Sequence, residues 1–247
     1  MAHDVTDAEN WNVESSCPPT RGPHEVPDRS VAEGGHFVGL DDVTAGRIIP
    51  VIILRDADQA VPLGEALVAG GIPVAEVTFR TEAAAAAIRR LTTVPGLTVG
   101  AGTVVTVAQV DQAVEAGATF LVSPGLSPAV VERARQHGLP IIPGAVTATE
   151  IMAALDLGLT TLKFFPAELH GGVAALKALG SPFGQVRFIP TGGVTATNLL
   201  DYLALPNVAA VGGSWMVKEA LIASGDFGAI RRACAEAAAL VRDRETR

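Results

Sequence analysis

From Arg47 onward the sequence repeats one unit, an apolar, β-branched run followed by glycine or proline and then an alanine-rich segment. The runs end at intervals of roughly twenty to twenty-five residues, the length of one β-strand plus one α-helix. They are apolar throughout, as expected for parallel strands covered on both faces. The predicted strands are residues 47–54, 74–79, 97–102, 120–125, 140–145, 161–166, 187–192 and 208–213. The repeat therefore predicts an α/β domain with a parallel sheet.

Two capping boxes mark the starts of helices between these strands. Thr106 with Gln109, and Thr147 with Glu150, have the spacing at which two side chains cap the first turn. Eight βα units in about 200 residues fit a single-domain (β/α)8 TIM barrel. A doubly wound sheet, the main alternative, requires a G-x-G-x-x-G turn after the first strand. That strand is followed by Asp56-Ala57-Asp58, so we predict the barrel.

A lone lysine lies inside the apolar run Thr161-Leu162-Lys163-Phe164-Phe165-Pro166. Because strand side chains alternate between faces, Lys163 shares a face with Thr161 and Phe165. Apolar surroundings disfavour the charged ammonium and favour the neutral amine, which attacks carbonyl carbons. The same pattern is typical of a strand-end lysine that reaches water or pairs with a carboxylate. From these residues alone, a catalytic and a structural role both remain open.

Polar residues also lie near the carboxyl ends of other predicted strands, where a barrel carries its reacting groups. Glu76, Thr78 and Arg80 share one face of the second strand. A glutamate in an apolar strand is costly unless it is paired, for instance with Lys163, or used in chemistry. Gly100-Ala101-Gly102-Thr103 ends the third strand, where glycines either admit a ligand or only form a tight turn.

Glycine pairs end the seventh and eighth strands, in Thr191-Gly192-Gly193-Val194 and Gly212-Gly213-Ser214-Trp215. In a barrel, the loops after these two strands commonly bind phosphate, because backbone N–H groups face the anion there. Loop glycines by themselves are a weak signal. Two pairs at these two strand ends favour an anion site.

Composition argues against several function classes. The formal net charge of −8, without a basic stripe, argues against nucleic-acid binding. The sequence has no membrane-spanning stretch and no signal-peptide layout, so we expect a cytoplasmic protein with no membrane partner. Cys17 and Cys234 form no CxxC motif, and outside the N-terminal segment the only histidines are His137 and His170. We therefore expect neither a metal ion nor another cofactor.

Residues 1–42 differ from the rest of the chain. They contain four prolines, scattered charges and three of the five histidines, without sustained periodicity. This composition predicts a disordered extension, followed by one barrel domain at residues 43–247. A peptide that binds a partner is the alternative interpretation.

Taken together, the segments resemble the bacterial 2-keto-3-deoxy-6-phosphogluconate (KDPG) aldolases, a family also called 4-hydroxy-2-oxoglutarate (KHG) aldolases. The matching segments are Glu76-Val77-Thr78-Phe79-Arg80-Thr81, Gly100-Ala101-Gly102-Thr103, Ser123-Pro124-Gly125, Lys163-Phe164-Phe165-Pro166-Ala167-Glu168, Arg187-Phe188-Ile189-Pro190-Thr191-Gly192-Gly193 and Gly212-Gly213-Ser214-Trp215. They occur in the family's order, and the resemblance runs from about Arg47 to the C-terminus, roughly four-fifths of the chain. Only the long N-terminal extension departs from the family's pattern.

The resemblance implies a class I aldolase, in which Lys163 forms a Schiff base with a 2-keto acid and Glu76 is the general acid/base. It implies reversible cleavage of KDPG to pyruvate and glyceraldehyde 3-phosphate, with KHG, cleaved to pyruvate and glyoxylate, as a second substrate. The other implied substrate contacts are Arg80 and Thr103 at the carboxylate, Pro124 and Phe165 in the pocket wall, and Thr191, Gly192, Gly193, Gly213 and Ser214 towards the phosphate. Arg55 matches a position that is often basic in the family, and a homotrimer is implied.

Other functions remain open beside this one. A phosphosugar isomerase or epimerase on the same fold would use a carboxylate base without forming an imine. An aldolase for another 2-keto acid, unphosphorylated or of the galactonate series, would keep the same lysine. A non-catalytic barrel that only binds an anion is a further alternative, and the presence of Lys163, Glu76 and Arg80 together argues against it.

Overall fold

The computed structural model describes residues 39–245, which lie within one compact unit. Residues 1–38 of the predicted extension lie outside the described residues. The first helix, Leu40–Thr44, contains residues 40–42, so the predicted boundary after residue 42 falls inside a helix. Val43 in this helix is buried, and it anchors the start of the described chain to the core.

Within residues 39–245, eight strands alternate with helices, and each strand lies within its predicted range. The strands are β1 (Ile48–Ile52), β2 (Val74–Thr78), β3 (Thr98–Gly102), β4 (Phe120–Val122), β5 (Ile141–Ile142), β6 (Thr161–Phe164), β7 (Arg187–Pro190) and β8 (Val211–Gly213). Every residue of β1 and β2 is buried, as the continuous apolar runs predicted.

One helix of the described chain precedes β1, and the others lie between or after the strands. They are α1 (Leu40–Thr44), α2 (Ala60–Ala69), α3 (Ala84–Leu91), α4 (Val107–Glu115), α5 (Pro128–Gln136), α6 (Ala148–Asp156), α7 (Gly172–Gly180), α8 (Leu199–Leu203), α9 (Glu219–Ala223) and α10 (Phe227–Glu245). Both predicted capping boxes are confirmed, at Thr106 with Gln109 and at Thr147 with Glu150. None of these helices is both long and apolar enough to cross a membrane.

All the strand pairs are parallel. One sheet has the order β5-β4-β3-β2-β1-β8, and β6 pairs with β7. Neighbouring strands from β1 to β5 follow the chain in sequence, without the reversal that defines a doubly wound sheet. The predicted α/β fold with a parallel sheet is confirmed. Because the strands are parallel, the carboxyl ends of β2 and β3, and likewise of β6 and β7, lie at the same edge.

Candidate active site

Lys163 on β6 and Glu76 on β2 form a buried ion pair. The Nζ atom of Lys163 donates a hydrogen bond of 3.0 Å to Oε1 of Glu76. Their side chains are only 6% and 3% exposed. Removing two charges from water costs several kcal/mol per ion, and mutual attraction offsets this only when the geometry is good. The contact joins an amine and a carboxylate that lie on different strands.

Gly102, the last residue of β3, leaves the space that the Glu76 carboxylate occupies. A Cβ atom built on Gly102 would lie 2.3 Å from Oε1 of Glu76 and 2.6 Å from its Cγ. No real Cβ contact is that short, so any side chain at this position would displace the carboxylate. Gly102 is therefore needed for the carboxylate to pass beside β3 and reach Lys163.

Phe165 lies near both Lys163 and the loop that follows β7. The Nζ atom of Lys163 lies 5.3 Å from the centroid of the Phe165 ring. A Cβ atom on Gly192 would be 3.2 Å from Cδ2 of Phe165. The half-buried ring thus forms a wall beside the amine.

The loop after β7 has a backbone conformation that favours glycine. Gly192 and Gly193 have φ angles of 90° and 84°, in the left-handed region. A Cβ atom on Gly193 would lie 2.2 Å from Cγ of Glu168, so the Glu168 side chain packs directly against this glycine. Thr191, which precedes the pair, is buried, and its Oγ1 would be 2.2 Å from a Cβ atom on Gly212.

Three side chains that were not predicted as site residues hold this loop. The carboxylate of Glu168 accepts hydrogen bonds from the Tyr202 hydroxyl and from Nδ2 of Asn198. The same Nδ2 donates to the carbonyl oxygen of Gly193 at 3.0 Å. Burial raises the pKa of the Tyr202 hydroxyl, and the hydrogen bond and charge of Glu168 raise it further, so Tyr202 stays a donor at neutral pH. Two sequence signals were available: Glu168 ends the motif around Lys163, and Tyr202 is the chain's single tyrosine.

A side chain also packs closely against the glycine at the end of β8. A Cβ atom on Gly213 would lie 1.9 Å from Cζ3 of the Trp215 ring. A larger residue at Gly193 or Gly213 would therefore disturb side-chain packing before it affected any bound anion. Ser214, between Gly213 and the tryptophan, is exposed.

Arg80 and Ser214 line one cleft of about 410 Å³. The cleft also contains residues that follow β1 and β7, so it lies at the carboxyl edge of these strands. Arg55, by contrast, donates through Nε to Oε2 of Glu219 at 3.2 Å and lines a neighbouring cleft of about 280 Å³. The structure thus brings Arg80 and Ser214 together and leaves Arg55 in an exposed ion pair beside them.

Thr103 and Pro124 lie at the carboxyl ends of β3 and β4. The Phe79 N–H donates to the Gly102 carbonyl oxygen at 2.8 Å, which brings the turn that carries Arg80 beside the turn that carries Thr103. Thr103 has a φ of 58°, uncommon for a residue with a side chain and often found at functional sites. Pro124 is half-buried, and its carbonyl oxygen would be 2.0 Å from a Cβ atom on Gly144.

Within residues 39–245, no group of three or more His, Cys, Asp or Glu side chains is arranged to hold a metal ion. His137 instead contacts Asp111 through Nε2 at 2.9 Å. Arg133 lies 2.7 Å from the same carboxylate. The hydrogen bonds from Arg133 and His137 lower the pKa of Asp111, a surface group.

Comparison with known proteins gives one consistent result. The protein-family model described as "KDPG and KHG aldolase" matches residues 41–233. The KHG/KDPG aldolase of Escherichia coli strain K12 is 47% identical over 196 residues, 79% of this chain and 92% of that protein.

Two crystal structures agree with this match. KDPG aldolase from Legionella pneumophila, with pyruvate captured at low pH as a covalent carbinolamine intermediate, has a TM-score of 0.78 and 43% identity, and the match covers 80% of this chain and 97% of that chain. The enzyme of Zymomonas mobilis ZM4 with 3-phosphoglycerate has a TM-score of 0.76 and 44% identity, covering 81% and 97%.

Proposed function

The chain belongs to the KDPG and KHG aldolase family, and from this membership we propose that it is a class I aldolase for KDPG. It cleaves this substrate reversibly to pyruvate and glyceraldehyde 3-phosphate. The observation that carries the proposal is the buried contact of 3.0 Å between the amine of Lys163 and the carboxylate of Glu76. Imine chemistry requires a nucleophile and a base that lie within hydrogen-bonding distance of each other.

In the proposed mechanism, Lys163 gives a proton to Glu76 and attacks the C2 ketone of the substrate with its neutral amine. The protonated Glu76 returns the proton to the carbinolamine hydroxyl, which leaves as water, so an iminium ion forms and Glu76 is a carboxylate again. This cation accepts the electron pair of the C3–C4 bond while Glu76, directly or through water, removes the proton of the C4 hydroxyl. The aldehyde leaves and an enamine remains. Glu76 then protonates C3 of the enamine, and hydrolysis releases pyruvate and the free amine of Lys163.

The remaining site residues hold the two anionic ends of the substrate in this proposal. Arg80, with Thr103, binds the carboxylate, because a guanidinium fork matches a carboxylate with two hydrogen bonds. Pro124 and Phe165 form apolar walls beside the imine. The phosphate lies towards the ends of β7 and β8, at Thr191, Gly192, Gly193, Gly213 and Ser214. The phosphoglycerate in the Zymomonas mobilis structure supports a site for a phosphorylated carboxylate in this family.

We also propose that the eight strands close into a (β/α)8 barrel. Supporting this, isolated parallel bridges join Gly144 to Lys163 and Thr191 to Gly212, at the two seams between the six-stranded sheet and the β6–β7 pair.

The chain is further proposed to form a homotrimer in the cytoplasm. The exposed apolar side chains of Met152 and Leu169 support an interface between copies.

Substrate preference is tested by comparing KDPG, KHG and the C4 epimer of KDPG, with pyruvate release as the common measurement. We expect the highest kcat/KM for KDPG, slower cleavage of KHG and poor cleavage of the epimer. An isomerase or epimerase would convert phosphosugars without releasing pyruvate. Higher kcat/KM for KHG or for the epimer would instead assign the enzyme to another 2-keto acid.

Gly102→Ala is expected to lower kcat/KM for KDPG by about 10²-fold, because a catalytic group displaced by about 1 Å loses roughly that factor. The added methyl group would lie 2.3 Å from the Glu76 oxygen, so the carboxylate must leave its present position in contact with Lys163. Gly184→Ala is the matched control, since a Cβ atom there meets nothing within 4 Å. If a folded Gly102→Ala enzyme keeps the wild-type kcat/KM, catalysis does not depend on the position of the Glu76 carboxylate, and Glu76 is not the base.

A further inference from the structure

Lys218 lies on the cleft that also holds Arg80 and Ser214. It follows β8 and stands immediately before α9, and its side chain is exposed. It is one of only three lysines in the chain, the others being Lys163 on β6 and Lys177 on α7. Lys218 and Ser214 thus line the same cleft.

The charges around the cleft are not balanced. Its charged lining side chains are Arg80, Lys218 and Glu219. Oε2 of Glu219 already contacts Nε of Arg55 at 3.2 Å. Among residues 39–245, neither Arg80 nor Lys218 has a carboxylate within ion-pair distance. The cleft therefore presents two cations without anionic partners, which suits a ligand with two negative groups.

We propose that Lys218 binds the phosphate group of the substrate and makes the enzyme selective for phosphorylated 2-keto acids. The inference rests on the proposed aldolase function and adds a residue to its site. With Arg80 at the carboxylate, the second cation is left for the second anionic group. A lysine suits this role because its ammonium acts as a mobile point charge that needs no fixed fork geometry. Ser214 supplies a hydroxyl donor on the same cleft.

The first test compares KM for KDPG and for unphosphorylated KHG in Lys218→Gln. We expect KM for KDPG to rise about tenfold or more, the usual loss for a hydrogen bond to a charged group, with kcat changed little. KM for KHG should change much less. Lys218→Arg should recover most of the loss, because it restores the charge. Lys177→Gln, which removes an exposed lysine from α7, should match the wild type with both substrates.

The second test measures phosphate binding without turnover. Calorimetric titration with inorganic phosphate should give a Kd that is severalfold weaker for Lys218→Gln than for the wild type and for Lys177→Gln. An unchanged Kd, or an equal rise of KM for KDPG and KHG, would overturn the assignment of Lys218. A wild-type enzyme that cleaves neither substrate would refute the aldolase function instead, and the titration would still decide whether Lys218 binds phosphate.

Discussion

Lys163→Met is expected to abolish covalent trapping of pyruvate and to lower kcat for KDPG cleavage by about 10⁴- to 10⁶-fold, the range seen when catalytic residues that act as a unit are removed. The wild-type amine condenses with the pyruvate ketone, water leaves, and borohydride reduces the iminium to a stable secondary amine. Methionine has a similar length and apolar character but no nitrogen. Without the amine no iminium forms, and the C3–C4 bond has no electron sink.

Peptide mapping after borohydride treatment measures this directly. One reduced three-carbon adduct should appear on Lys163, and none on Lys177 or Lys218, the other two lysines. Lys177→Met is the matched control and should be trapped like the wild type. EDTA should leave cleavage unchanged. An adduct on another residue, or activity that is lost with EDTA, would contradict the Schiff-base mechanism.

The buried ion pair makes a stability control necessary. Lys163→Met leaves the Glu76 carboxylate buried without its partner, and breaking a buried pair in this way typically costs about 3–5 kcal/mol. Thermal unfolding should therefore show a lower Tm for Lys163→Met. The double variant Lys163→Met/Glu76→Gln should recover part of the stability, because no buried charge remains unpaired, but it should stay inactive. Recovered stability without recovered activity separates the chemical role of Lys163 from its structural role.

The sequence predicted the fold well because the fold depends on local periodicity. Apolar runs at regular spacing marked every strand, and cap residues such as Thr106 and Thr147 marked the starts of helices. The sequence did not decide between an ion pair and a catalytic pair for Glu76 and Lys163. The structure shows the ion pair at 3.0 Å. In the proposed mechanism the same contact places a base beside the nucleophile, so the two roles are compatible.

Contacts between distant segments were harder to predict. The hydrogen bonds of Glu168 with Asn198 and Tyr202 join residues 30 and 34 positions apart and depend on how α8 packs beside the loop after β7. The glycine pairs in the sequence predicted an anion site. The structure adds that Gly193 and Gly213 pack directly against the side chains of Glu168 and Trp215. These two packing contacts cannot be predicted from the sequence, because each depends on which side chain fills the space beside the glycine.

Glu76→Gln is expected to slow cleavage of KDPG by about 10²–10⁴-fold, the usual contribution of a positioned general base. Glutamine keeps the shape of glutamate and still accepts a hydrogen bond from Lys163, but it takes no proton at neutral pH. Exchange of the pyruvate methyl protons with solvent should fall by a similar factor, because the same carboxylate protonates the enamine. Both rates are measurable on one preparation, by pyruvate release and by proton NMR.

Imine formation should survive in part, and this separates the two residues. Glu76→Gln keeps the Lys163 amine and the proposed carboxylate contacts of Arg80 and Thr103, so pyruvate and borohydride should still modify Lys163, more slowly than in the wild type. Lys163→Met should give no adduct at all. If Glu76→Gln exchanges the methyl protons and cleaves KDPG at wild-type rates, Glu76 is only the structural partner of Lys163. A bound water molecule or the substrate phosphate would then have to carry the proton.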